Sequence, residues 1–419
     1  MNVMPTQFRD PSVEEFDTRT LLKQAARQAA KRHYEDFLIV DVDAHHYETE
    51  SLADIVNYIE DPVLRETARA KGGVYAGAPT LMNNLPGFQD MGGRIGRYSK
   101  RMLEKVPAAP PHRDVHLTTR WMDALGVDIV CMFPTPMLLL GLHPNVEIET
   151  ALAHAYNRWL TEVILPQEPR IKSMLYLPFN DPEATYRTVK QFGGKPGVIG
   201  FMVTSARYKA VYHNDYMKTY ALLEEMGKPI SFHAGYNWND PSFFQITNRF
   251  ISVHALGFTF HNMIHLTNWI VNGLPDRFPK LKTIWIESGL AWVPFLMQRL
   301  DNEYMMRTSE CPSLKKKPSD YIREMYFTTQ PMEMVDNRKA LEVTFEMLNA
   351  ETQLLYSSDY PHWDMDLPCV IYDLPFLNER AKLNILGQNA VRLFNLEPRL
   401  SPAKLAAQKL RRAKARSTV

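Results

Sequence analysis

Phe37-Leu38-Ile39-Val40-Asp41-Val42-Asp43-Ala44-His45-His46-Tyr47-Glu48 decides how the rest of this chain is read. Four apolar residues in succession, most of them branched or aromatic, read as a strand buried on both faces. That strand runs straight into Asp-x-Asp-x-His. In extended backbone the side chains at i, i+2 and i+4 share a face, so Asp41, Asp43 and His45 are expected to project together. A carboxylate and an imidazole two residues apart at a strand's end can grip one metal ion.

Outward from this stretch the sequence is rhythmic. RWMDALG reads as a helix ended by Gly126, followed by the strand VDIVCMF and a stop at Pro134. The helix IETALAHAYNRWLTEVI leads to the strand KSMLYLPF, and DPEATYRTVKQFG, with its Asp-Pro start, leads to GVIGFMV. A helix around YMKTYALLEEMG precedes PISFHAG, and a mostly helical region over about residues 241–274 precedes KTIWIESG. MYFTTQ and QLLYSSDYPH supply the seventh and eighth strands, and a closing helix covers about 378–394. Eight strands alternating with helices predict a (β/α)8 TIM barrel over residues 37–396, with its active site at the carboxyl ends of the strands.

Three attachments surround that barrel. Residues 1–36 read as an N-terminal helical extension, rich in Ala, Leu, Lys and Arg from about Ser12 to Asp36. A long insertion after strand one, about residues 49–116, carries Gly- and Pro-bearing stretches with little periodicity. Loops of that length in a compact domain are usually lids or binding loops. Arg94, Arg97 and Arg101 are its candidates for meeting an anionic substrate group. Residues 397–419 form a basic tail, LAAQKLRRAKARSTV at its end, expected to be a frayed, solvated terminus.

Composition narrows the class further. The chain is 45% hydrophobic and 23% charged with a formal net charge of +1, so no charge imbalance points to nucleic acid or a membrane surface. No apolar run approaches the roughly 18 residues of a membrane span, and the polar N-terminus is unlike a secretory signal. Three scattered cysteines exclude a disulfide framework and a CxxC zinc motif, and a cytoplasmic protein is expected.

A barrel should collect its reactive residues at the strand exits, and these do. Asp43 and His45 end strand one, His233 strand five, Glu287 strand six and Asp359 strand eight. His254, His261 and His362 lie on the segments that follow, with Trp238 and Trp292 as candidates for the apolar wall of a pocket. His46 points to the opposite face of an ideal strand, which favours a supporting role. His261 and His265, at i and i+4, share one face of a helix.

DVDAHHYE, RWMDALGVDIVCMFPT, YNRWL, GLPDRFPKLKTIWIESGLAWVPFLMQRLD and YSSDYPHWD together resemble the amidohydrolase superfamily. The likeness is to its amidohydrolase-related branch, which includes metal-dependent decarboxylases of the aminocarboxymuconate semialdehyde and γ-resorcylate type. The resemblance implies a divalent ion (Zn, Mn or Fe) held by Asp43, His45, His233 and Asp359, with Glu287 placed for a second ion. It also implies a homodimer or larger homo-oligomer and a small-molecule substrate. Two departures matter. Asp43 stands where His or Glu is usual, and Glu287 stands where the branch's decarboxylases place a catalytic His. The strand-four segment GFMVTSAR also lacks the Lys that bridges two metals elsewhere in the superfamily. On the missing His, the expected activity is hydrolysis of an amide, ester or thioester by metal-activated water, with Asp359 as general base and Glu287 in the proton traffic. The alternative is non-oxidative decarboxylation of an aromatic or unsaturated acid.

Overall fold

The computed structural model describes residues 18–70, 106, 110–143, 145–204, 209–233, 250–333, 337–362 and 364–417. Eight strands form one parallel sheet in sequence order: β1 (Val40–His46), β2 (Ile129–Pro134), β3 (Ile171–Tyr176), β4 (Val198–Thr204), β5 (Ile230–His233), β6 (Thr283–Ile286), β7 (Tyr326–Thr328) and β8 (Leu354–Leu355). The ends meet where Val42 N donates to Tyr356 O, Asp359 N to Asp43 O and His45 N to Tyr360 O. The sheet therefore curls into the expected TIM barrel.

Helices on the outer face explain why the strands read as continuous apolar runs: β1, β2 and β4 are buried along their whole length. Register sorts inner from outer residues. Phe232 pairs with Trp285, and the two rings stack at 4.5 Å. Both lie towards Trp269 of the helix Phe250–Val271, whose ring is 5.7 Å from Phe232. Their neighbours along the strands, His233 and Ile286, therefore face the barrel interior, as does Thr204, which pairs with His233.

Several details differ from the sequence reading. The first strand begins at Val40, inside the apolar run, and carries the polar motif through to His46. Its pairing with β2 shifts register between Asp41 and Ala44. Asp41 is accordingly separated from Asp43 and His45: its Oδ1 accepts from Asp43 N (3.1 Å) and Ser358 N (3.0 Å), stapling β1 to the segment after β8. Burial pushes the Asp41 carboxyl up to about 8 despite those bonds.

The N-terminal helix spans Thr18–Lys31. Within the expected insertion, Leu52–Val56 and Pro62–Ala70 are helical. The basic C-terminal stretch is a helix, Pro402–Ser417, and its first turn is anchored in the barrel floor. Lys404, 4% exposed, reaches Asp128 Oδ2 and Phe37 O, each at 2.6 Å, while Asp128 also accepts from Ile39 N and Ser401 N. A buried, hydrogen-bonded ion pair replaces the frayed end expected from charge alone.

Candidate metal centre

β1 delivers Asp43 and His45 to the barrel mouth, β5 delivers His233, and two turns of unusual backbone deliver the remaining carboxylates. Glu287 and Asp359 follow β6 and β8 with φ of 54° and 56°, the left-handed region that ordinary side chains avoid. Without that twist Glu287, next after inward Ile286, would face the helices. The conformations are held by Glu287 N donating to Thr328 Oγ1 and Asp359 N to Asp43 O. The β6 turn continues through Gly289 at φ 73°, where a Cβ would collide with Glu333. Glu333 Oε2 accepts from Leu290 N and Ala291 N, fixing the start of the helix Trp292–Met306.

The donor atoms converge. One ligand atom each from Asp43, His45, His233 and Glu287 lies within 4.8 Å of the others, and so does one each from His45, Asp359 and His362. His45 belongs to both groups, and all six residues are buried. His45 Nδ1 is 2.9 Å from Pro134 O, which makes Nδ1 the protonated nitrogen and leaves the Nε2 lone pair facing the cluster. His45 Nε2 lies 3.3 Å from Asp43 Oδ1 and 3.2 Å from Asp359 Oδ1, yet is buried without a hydrogen-bond partner, as is Asp43 Oδ2. His233 Nε2 is 3.2 Å from Asp43 Oδ1, and its Nδ1 is 3.6 Å from Glu287 Oε2.

The unpartnered His45 Nε2 and Asp43 Oδ2 are what a cation would satisfy, and two imidazoles with carboxylates suit Zn, Mn or Fe. The residues fit such an ion. Without it, burial opposes charge on Asp43, but His233 and His45 outweigh this and hold its carboxyl well below the usual range. Burial likewise opposes protonation of His45, and Asp359 and Asp43 overcome it, raising the imidazole well above its ordinary value.

Around the cluster, His362 Nδ1 lies 2.6 Å from Asp359 Oδ1, and its ring sits 4.4 Å from that of His45. On the far side, His362 Nε2 is 3.4 Å from Thr135 Oγ1, which donates to His46 O. Glu48 locks this corner by accepting from Thr135 N (2.9 Å) and Met137 N (2.6 Å). His46 faces away as expected, with Nε2 2.7 Å from Tyr156 OH and its ring stacked on Trp159. Sequence reading gave Thr135 and Glu48 no role. Their only signal was proximity to strand exits.

The expected pocket residues divide. His254 Nε2 lies 3.6 Å from Asp364 Oδ2, which joins it to the loop after β8. His261 is buried beside Asn262, whose amide donates to Phe232 O and Ile286 O over the exits of β5 and β6. His265 packs on the outward Phe232 ring. Trp292 is not an apolar wall of the site: its Nε1 donates to Gly289 O and its ring packs on Phe327, whose pairing with Trp285 places it on the helix side. Phe133 provides an apolar wall instead, its ring 4.8 Å from that of His233. Trp238, Arg94, Arg97 and Arg101 lie outside the described residues.

The amidohydrolase family model matches residues 122–396. A γ-resorcylate decarboxylase of Polaromonas sp. is 22% identical over 286 residues, covering 66% of this chain and 86% of its own length. Among solved structures, the 5-carboxyvanillate decarboxylase of Sphingomonas paucimobilis shares the fold with a TM-score of 0.61 at 19% identity, over 86% of this chain and 100% of that one. A dihydroxybenzoic acid decarboxylase of Polaromonas sp., solved with manganese and the inhibitor 2-nitroresorcinol, gives a TM-score of 0.60 at 19% identity, over 86% and 97%. These relatives overturn the expectation of hydrolysis, which had rested on the missing strand-six His. No described helix is long and apolar enough to cross a membrane.

Proposed function

This chain belongs to the amidohydrolase family, and from that membership we propose that it is a metal-dependent, non-oxidative decarboxylase of a hydroxy-substituted aromatic acid. The observation that carries the reading is the Asp359–His362 pair, 2.6 Å apart in a buried mouth beside the donor cluster. Decarboxylation needs one proton delivered to the carbon that bears the carboxylate, and this pair is built to hold one.

Asp43, His45, His233 and Asp359 would hold the ion, with Glu287 as a further oxygen donor. When bound, the ion supplies positive charge that fixes the acid's oxygens in a site otherwise rich in carboxylates. Phe133 offers the ring an apolar surface. Asp359, carrying a proton shared with His362, donates it to the ring carbon. The bond to the carboxylate then breaks, its electron pair returns to the ring and CO2 leaves. His362, backed by Thr135, re-protonates Asp359 for the next turnover. Glu287 takes the position of the usual His and orients the substrate through a hydroxyl.

The barrel, residues 37–396, carries this chemistry, with the helices Thr18–Lys31 and Pro402–Ser417 as attachments outside it. A homodimer fits the exposed Ile251, Leu256 and Phe295 on two neighbouring helices. A monomer mass in sedimentation at micromolar concentration would remove that part of the reading.

The test is CO2 release from 2,6-dihydroxybenzoate, 5-carboxyvanillate and related hydroxybenzoates by manganese-loaded protein. Turnover of at least one is expected. Inertness towards all of them, with manganese bound, overturns the proposal.

A further inference from the structure

Among the described strand residues, Ser and Thr hydroxyls on the inner face of this barrel have hydrogen-bond partners, and Thr204 is the exception. Ser173 Oγ donates to Met132 O, Ser231 Oγ lies 3.3 Å from Phe201 O, and Thr328 Oγ1 accepts from Glu287 N. Thr204, the last residue of β4, differs. It is 1% exposed, and its Oγ1 is buried with no hydrogen-bond partner. A buried polar atom in that state destabilises the fold and calls for an explanation. Its position supplies one. Thr204 pairs directly with His233, and paired residues of parallel strands point to the same face. The hydroxyl therefore stands in the barrel mouth beside a member of the donor cluster, at a strand exit from which the cluster takes no ligand among the described residues.

We propose that Thr204 is a substrate-binding residue whose hydroxyl donates a hydrogen bond to an anionic oxygen, carboxylate or phenolate, of the bound aromatic acid. The identity of that ligand rests on the decarboxylase reading. Charge supports the assignment. Asp43, Glu287 and Asp359 already crowd the mouth with carboxylates, so an acidic substrate gains from a neutral donor on the β4 side. A hydroxyl can supply one without adding a charge that must be desolvated. The unmet hydrogen bond in the free protein is thereby made on binding.

Thr204→Val keeps the branched shape and removes the hydroxyl, and Thr204→Ser keeps the hydroxyl. Three readouts decide the matter. The metal-free Val variant should melt at or above the wild-type temperature, because an unpaired buried hydroxyl has gone. Its manganese content should equal that of wild type. Calorimetry on the manganese-loaded protein should show 2,6-dihydroxybenzoate or 2-nitroresorcinol bound about 10-fold or more weakly by the Val variant, with the Ser variant within a few-fold of wild type. Benzoate and resorcinol, each carrying one of the two oxygen types, show which oxygen is contacted: the sensitive one loses affinity and the other does not. A lower melting temperature for the metal-free Val variant overturns the inference, because the hydroxyl would then have a structural partner. Equal affinity for every bound probe overturns it as well. Wild-type holoprotein that binds none of the probes sinks the decarboxylase reading, and the melting comparison still decides whether the hydroxyl is held in reserve.

Discussion

Glu287 and Asp359 adopt the same left-handed backbone, φ 54° and 56°, at the exits of β6 and β8. Neither is glycine, and a left-handed residue of this kind costs on the order of 1–2 kcal/mol. The cost is tolerated because the twist turns each carboxylate into the barrel mouth. Asn and Asp accept this conformation far better than β-branched residues. Asp359→Asn should therefore melt within a few degrees of wild type while losing activity, whereas Asp359→Val should lose at least a further ~1 kcal/mol of stability. Thermal denaturation of the two variants checks this, and equal melting temperatures would show that the backbone there is not constrained.

His45 and His233 are expected to be ligands, so replacing either by Ala should abolish stoichiometric manganese, as measured by elemental analysis after gel filtration. Full occupancy in both variants would remove them from the site.

The metal-free cluster also predicts a pH dependence. His45 is raised by Asp359 and Asp43 against the opposing effect of burial. Its contribution to metal-free stability is complete below the unfolded value of about 6.5 and is lost as pH rises through the folded value. Asp43 is depressed, so its contribution is present above about 3.9 and is lost as pH falls. A cation must displace the His45 proton. Manganese affinity should thus rise with pH below the folded value of His45, with proton release on binding. Calorimetry in buffers of different ionisation enthalpy reads that proton, and a flat profile would contradict a protonated His45.

Lys404 makes the C-terminal helix part of the barrel floor. Removing one partner of a buried ion pair strands the other, at a cost of about 3–5 kcal/mol. Lys404→Ala, which leaves Asp128 buried and partly unpaired, should be destabilised by that order, while Lys409→Ala on the same helix should change little. Equal urea midpoints for the two would mean that the helix is not anchored there.

What was legible in the sequence follows physical periodicity. Strands buried on both faces announce themselves as apolar runs, and Asp43, His45, His233, Glu287 and Asp359, which the structure brings together, were singled out because each ends such a run. Asp41 was misplaced because the irregularity in β1 leaves no mark in composition. Trp292 was misplaced because an aromatic after a strand exit can turn to either side of the sheet, and only register shows which. The C-terminal helix was misread because charge density says nothing about a single lysine finding a buried aspartate. The reaction was misjudged for a different reason. One replaced side chain, Glu287, was weighed above the rest of the mouth, although the proposed reaction draws its proton from the Asp359–His362 pair and not from strand six.

That claim is tested most directly by running the reaction of the manganese-loaded protein in heavy water, with 2,6-dihydroxybenzoate and 5-carboxyvanillate as substrates. Proton delivery by Asp359 predicts CO2 release, one deuterium at the carbon that lost the carboxylate, and a rate lowered by roughly 10²–10⁴-fold in Asp359→Asn. Deuterated product formed by Asp359→Asn at the wild-type rate, with manganese fully bound, would contradict it.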